Sequence, residues 1–300
     1  MRRRGVAAWA ALAVLAAAPG AADGLGERTL LRGFPPFVGR STAEVASLRG
    51  PGLRVFEQPL LTTADVRLRA SLVTLSSGRT LLVNPPGATR EAVSLLCPPS
   101  GAPSDLVVCN NAVDHTLWVG GWRQALPRAR VWAVEPEEGG DAALVVEDDA
   151  GIPSPALDEE MRAELDAAVL DVQPFFREVV LFHRPSRTLL ATDAVWRAKS
   201  ARFNNVVSSV GWDVIFQLRR RDDGRGGLDR LSYPYPWYVG LTPSARERTA
   251  RAVRRFVEAV SAFDFVRVVP AHLDVIDDEL DGGPGAAKRL FTGAFDYITR

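Results

Sequence analysis

The hydrophobic positions of this chain change period several times, and each change marks a new element. Residues 67–75 (Arg-Leu-Arg-Ala-Ser-Leu-Val-Thr-Leu) alternate in part between polar and apolar, Ser76-Ser77-Gly78 supplies a turn, and residues 79–83 run on into Asn84-Pro85-Pro86. A period near two on both sides of a glycine turn predicts a β-hairpin, and the prolines, which lack N–H groups, force the chain out of its second strand. Beyond it the pattern predicts a helix over 89–96, a strand over 106–109, a helix over 116–125 and a strand over 130–134. Residues 153–169 hold a further helix candidate, in which Ser154 or Asp158 can cap the run Glu159-Glu160-Met161. Residues 178–182 and 187–191 predict two strands about a turn at Arg184-Pro185-Ser186.

The clearest helix is predicted over 244–260. Ala250, Val253, Phe256, Val257 and Val260 fall on one stripe, while Arg248, Arg251 and Arg255 fall on another, with Glu247 one turn before Arg251. A strand over 265–269 follows and leads into Pro270-Ala271-His272. Strand and helix therefore alternate, which predicts an α/β architecture. With no repeat at solenoid spacing and no break in composition, residues 51–300 read as one domain.

Composition narrows the function classes. The chain has 300 residues, is 47% hydrophobic, and carries 36 basic against 36 acidic side chains. That length supports a substantial core, and the charge balance removes the electrostatic basis for binding nucleic acid or an anionic membrane surface. Arg2-Arg3-Arg4, a short apolar run over 6–18 and the small-residue exit before Asp23 have the three-part form of a removable leader, expected over 1–22. It directs the protein into the secretory pathway, to the periplasm or cell exterior, with a plastid as the other destination, and no membrane span is expected once it is removed. Residues 23–50, rich in Gly, Arg and Pro, read as an extended lead-in. Cys97 and Cys109 are the only cysteines, and the sequence leaves open whether they pair.

Candidate chemistry sits at strand ends. Asp114 and His115 follow one apolar run, Asp193 ends another, and His272 a third, all at what would be the same rim of a sheet. Two carboxylates and two imidazoles suit one divalent ion such as Zn²⁺, Fe²⁺ or Mn²⁺. Asp114 and Asp193 are also the candidate catalytic carboxylates. His183 and Arg187 are candidates for positioning an anionic substrate beside the ion, and Asn110 for offering it a neutral carbonyl oxygen. With only three histidines, a histidine-rich two-metal cluster is excluded. Ser186 and Ser209 lack a Gly-x-Ser-x-Gly setting, and no phosphate loop or dinucleotide fingerprint occurs. The stiff aromatic segment 231–238 reads as a pocket wall or a packed connection, and the mixed-charge segment 219–225 as an exposed loop.

The order of these features resembles the metallo-β-lactamase superfamily, whose first metal loop reads His-x-His-x-Asp-His. Here the matching stretch is Asn110-Asn111-Ala112-Val113-Asp114-His115, so Asn110 and Ala112 stand where two metal-binding histidines would be. Asp193 is similar in place to the family's bridging Asp and His272 to its final His; the middle His has no counterpart. The block 178–193 and the stretch 126–132 look closer still to an uncharacterised metallo-β-lactamase-like family, a domain of unknown function. The resemblance implies an αββα sandwich of two mixed sheets with outer helices, a single ion held by Asp114, His115, Asp193 and His272 or no ion at all, and a small-molecule substrate or ligand. Two functions follow: a metal-dependent hydrolase with a reduced, one-ion site, or a non-catalytic protein that binds a ligand or partner with a degenerate one.

Overall fold

The structure, a computed structural model, describes residues 41–61, 66–98, 101–134, 140–172, 176–199, 220–222, 228–232 and 243–299. The leader over 1–22 and most of the aromatic segment lie outside the described residues. So does the lead-in up to 40, whereas its last residues carry β1 (Ala43–Glu44) and a 3-10 turn (Ala46–Leu48).

Strands β2 (Leu53–Leu61), β3 (Val66–Thr74) and β4 (Thr80–Val83) follow, then α1 (Arg90–Leu96), β5 (Asp105–Val108), α2 (Val113–Thr116), α3 (Val119–Ala125), β6 (Arg130–Ala133) and β7 (Ala142–Ala143). Strands β1 to β7 form one sheet in sequence order. It is antiparallel as far as β4 and parallel from β4 to β7. The hairpin β8 (Val145–Glu147) and β9 (Pro153–Pro155) and the short α4 (Glu159–Arg162) lead to β10 (Leu165–Val172), β11 (Phe176–His183) and β12 (Thr188–Leu190). Next come β13 (Trp196–Arg197), β14 (Arg220–Asp222) and β15 (Leu228–Ser232), then α5 (Pro243–Ser261), β16 (Arg267–Val269), β17 (Ile276–Asp277), α6 (Asp278–Asp281), α7 (Ala286–Gly293) and α8 (Asp296–Thr299). The second sheet runs β10-β11-β12-β16-β17, with β12 and β16 parallel.

Period-two alternation builds the layers. Leu53, Val55, Val73, Leu81, Val83, Val107 and Trp132 face Leu165, Val179, Leu181 and Leu190 between the sheets. Their strand neighbours Phe56, Leu68, Ala70, Leu72, Leu82, Leu106 and Val131 face the other way, against Leu96 of α1 and Trp122 of α3. On the far sheet, Leu170, Val180, Phe182, Leu189 and Val268 meet Val253, Phe256 and Val260 of α5 and Phe291 of α7. Strands covered on both faces read as nearly continuous apolar runs, as residues 81–83 and 179–182 do. The layers are helix, sheet, sheet, helix, a metallo-β-lactamase-like αββα sandwich.

Two expectations give way. The helix candidate within 153–169 is helical only over α4, capped by Asp158, whose side chain accepts from the Met161 N–H. From Leu165 the chain is strand, because Leu165, Ala168, Leu170 and Val172 bury in the cores while all eight residues register against β11. Within the expected exposed loop 219–225, residues 220–222 form β14, paired with β15. Both cysteines are free: Cys109 packs between the sheets and Cys97 lies on the α1 side. Among the described residues no helix is long and apolar enough to cross a membrane.

Phe256 anchors the second helical layer, with ring centroids 6.1 Å from Phe291 and 5.5 Å from Phe295. Phe256→Ala is expected to cost about 3–5 kcal/mol in urea unfolding, against about 0.5 kcal/mol or less for Arg251→Ala on the exposed face of the same helix. Equal costs would contradict this placement of α5.

Candidate metal centre

The carboxyl ends of β5, β12 and β16 meet at one rim, and each hands a side chain to the same point. His115 comes from α2 just beyond β5, Asp193 from the loop after β12, and His272 from the loop after β16. All three are buried. His115 Nε2 lies 3.3 Å from Asp193 Oδ2, His272 Nε2 lies 3.6 Å from Asp193 Oδ1, and the two Nε2 atoms are 3.2 Å apart. For an ion with bonds of about 2.0–2.1 Å, tetrahedral ligand atoms sit roughly 3.3 Å from one another. The two imidazole nitrogens, and the Asp193 oxygen nearest each, approach that value, and one ligand atom from each of the three residues lies within 4.8 Å of the others.

The tautomer of His272 fits the same use. Its Nδ1 is 2.8 Å from the Arg67 carbonyl oxygen, which can only accept, so Nδ1 donates and Nε2 is the ring nitrogen turned inward, where a metal would be held. Metal-binding histidines are commonly oriented in this way. The Trp196 ring meets His272 edge-on, with centroids 5.6 Å apart. Arg69 holds the His272 loop to β3: its N–H donates to the Ala271 carbonyl (2.8 Å) and its guanidinium to that of Pro270 (3.0 Å). Leu273, the next residue, is buried and has φ 60°, in the left-handed region.

Asp193 is gripped from every side. Asn110 Nδ2 donates to Oδ2 at 2.8 Å and Trp196 Nε1 to Oδ1 at 3.0 Å. Beneath the loop, the Glu178 carboxylate accepts from the Thr192 N–H and the Asp193 N–H, both at 2.7 Å. Burial, and behind it the charge of Asp193, pushes the Glu178 carboxyl above the usual carboxylate range, while the backbone N–H donors pull it back toward the ionised form whose two oxygens accept them. Asn84, at φ 53° where Asn is better tolerated than most residues, ends β4 and donates from Nδ2 to Thr192 Oγ1 at 2.9 Å. After the site, Arg197 and Asp281 form a buried ion pair (2.7 Å, Nη2 to Oδ1) that ties the chain beyond Asp193 to α6.

Of the sequence candidates, the structure thus brings His115, Asp193 and His272 together. Asp114 is on the same short helix as His115, and its side chain lies outside the described residues. Asn110 reaches the cluster through its amide nitrogen; its carbonyl oxygen is turned to the Ala112 N–H at 3.3 Å and is not offered to a substrate. His183 and Arg187 are not at this rim. His183 is at the other end of β11 from Glu178, roughly 17 Å away at the rise of a strand, because β11 and β12 are antiparallel and their hairpin turn points away from the site. There His183 Nδ1 pairs with Ser186 Oγ at 2.8 Å, and Arg187 binds exposed Asp264. Sequence reading missed Glu178, Trp196 and Asn84. The available signal was a lone acid inside the apolar run 176–183, since a buried charge requires partners.

His183 carries its own consequence. Its Nε2 is buried without a hydrogen-bond partner, and burial holds the imidazole below its ordinary value of 6.5, Glu164 opposing and Arg184 assisting. The folded state refuses a proton that the unfolded chain accepts. His183 therefore contributes stability above pH 6.5 that drains away as pH falls toward the folded-state value. In urea unfolding, the protein is expected to lose more stability between neutral and mildly acid pH than His183→Gln; parallel profiles would refute this.

No curated protein matches the chain. Among solved structures it is similar to the metal-soaked Flv1 flavodiiron core from Synechocystis sp. PCC6803, at 11% identity and a TM-score of 0.54 over 87% of this chain. The match covers 62% of that core, so this chain spans a little under two thirds of its length. It is also similar to the structure of diflavin flavoprotein A 5 (fragment 1–254) from Nostoc sp. PCC 7120, at 8% identity, a TM-score of 0.51, and coverage of 86% and 98% of the two chains. The mono-zinc form of the metallo-β-lactamase FIM-1 from Pseudomonas aeruginosa matches at 11% identity and a TM-score of 0.48, covering 86% of this chain and 96% of that one. At such identities the likeness is one of fold. Residues 53–222, more than half of the sequence, match the model of the domain of unknown function DUF4336, and the chain belongs to that family.

Proposed function

We propose that the protein is a metal-dependent hydrolase acting on a small molecule through one divalent ion held by His115, Asp193 and His272. The observation that carries this reading is the convergence of three buried side chains, the two imidazole Nε2 atoms 3.2 Å apart and each within 3.6 Å of an Asp193 oxygen, with the other nitrogen of His272 fixed as a donor. Charge supports it as well. Asp193 is buried among neutral N–H donors and imidazoles, and a buried carboxylate without a countercharge is costly. The metal-soaked flavodiiron core adds a parallel at the level of architecture.

When bound, a divalent ion supplies a Lewis acid that polarises a carbonyl or phosphoryl oxygen and acidifies water. The residues of this chain do the rest. His272, oriented by the Arg67 carbonyl, presents a lone pair, and Asp193 presents a carboxylate whose rotation Asn110 and Trp196 forbid. Each of those N–H donors takes one lone pair of its Asp193 oxygen and leaves the other, so the carboxylate is held in place and can still ligate an ion.

Zinc, iron or manganese is expected at about one equivalent per chain, and Asp193→Ala or His272→Ala should reduce it to near zero as read by elemental analysis. Hydrolysis of p-nitrophenyl acetate or bis(p-nitrophenyl) phosphate should fall on the order of a hundredfold in the same variants. Because the donors meet only in the folded state, a hundredfold excess of metal over its Kd adds about 2.7 kcal/mol to unfolding. A metal-free protein whose unfolding ignores all three metals would sink the hydrolase reading and leave the ligand-binding one.

A further inference from the structure

Glu178 does more than fill a hole in the core. Its carboxylate accepts the N–H groups of Thr192 and Asp193 at 2.7 Å each, with that of Ala194 directed at it too. Its backbone meanwhile sits opposite the segment that leads to His115. Asn110 and Glu178 form an isolated antiparallel bridge, the Val179 N–H donates to the Cys109 carbonyl at 2.7 Å, and the Arg177 N–H donates to Asn111 Oδ1 at 3.0 Å. Glu178 thus sits opposite Asn110 where its strand neighbours Arg177 and Val179 bond the His115 segment, and its own side chain reaches the Asp193 loop. Since His115 follows the first sheet and Asp193 the second, their spacing is a spacing between sheets, and hydrophobic contact alone does not fix such a distance to a fraction of an ångström.

We infer that Glu178 is the positioning residue of the metal centre, setting the register of the Asp193 loop against the His115 segment without touching the ion. The inference rests on the metal reading above. A carboxylate is suited to the role because both of its oxygens accept, so two adjacent N–H groups that point the same way are satisfied together. A glutamine of the same shape offers one acceptor and turns an NH2 group toward the other amide, so the loop has to rotate and Asp193 moves with it.

The test compares Glu178→Gln with the unsubstituted full-length chain. Zinc affinity, read by competition with a chromophoric chelator, is expected to fall by about 10–100-fold. At saturating cobalt the ligand-field absorption of the variant is expected to shift, a signature that a purely structural role would leave in place. In the unsubstituted chain, the Thr192 and Asp193 amides are expected to resist hydrogen exchange whether or not metal is added, and this reading stands even if the variant fails to fold. Zinc affinity within twofold and an unchanged cobalt spectrum would overturn the role of Glu178 while leaving the metal centre intact, as would exchange of the two amides at the rate of open loops. An unsubstituted chain that binds neither zinc nor cobalt overturns the metal reading, and the inference falls with it.

Discussion

A carboxylate with almost no access to water, Asp193, is the constraint around which the rim of this protein is arranged. Left alone, such a group is among the most costly things a core can hold. It is tolerable only because Asn110, Trp196, His115 and His272 reach it from separate elements. Asn110 and His115 follow β5 of the first sheet, Trp196 follows β12 of the second, and His272 follows β16. Satisfying one acid therefore requires that the sandwich close correctly, and local chemistry and global topology become the same requirement.

The fold was largely legible in the sequence because its signals are local. The turn at Ser76-Ser77-Gly78, the proline exit after β4, and the apolar stripe through Val253, Phe256 and Val260 each report on a few neighbouring residues. The helix candidate within 153–169 failed for a matching reason. Its second half is short and apolar, so periodicity does not separate a buried strand from a helix, and the choice fell to pairing with β11, a partner the local window does not contain.

The site was half legible. Asp193 and His272 advertise themselves as polar residues at the ends of apolar strands, and His115 through its place after β5. Glu178 is invisible to that logic, because it is part of a strand and its role depends on where another strand ends. His183 misleads for the opposite reason: it is close to Asp193 along the chain, but a hairpin sends neighbours in sequence to opposite ends of a sheet. Asn110 shows a subtler failure, since its place was identified while the end of its amide that faces the cluster was not.

Leu273 holds a final consequence. A residue with a β-carbon in the left-handed region gives up roughly 1–2 kcal/mol that glycine would keep, and nothing in the local sequence prefers this bend. The turn that presents His272 is thus held against its own conformational preference by the burial of the leucine side chain. An imidazole mounted on such a spring takes its aim from the interior behind it, so repacking that interior retunes the donor even when every residue that faces the cluster is left untouched.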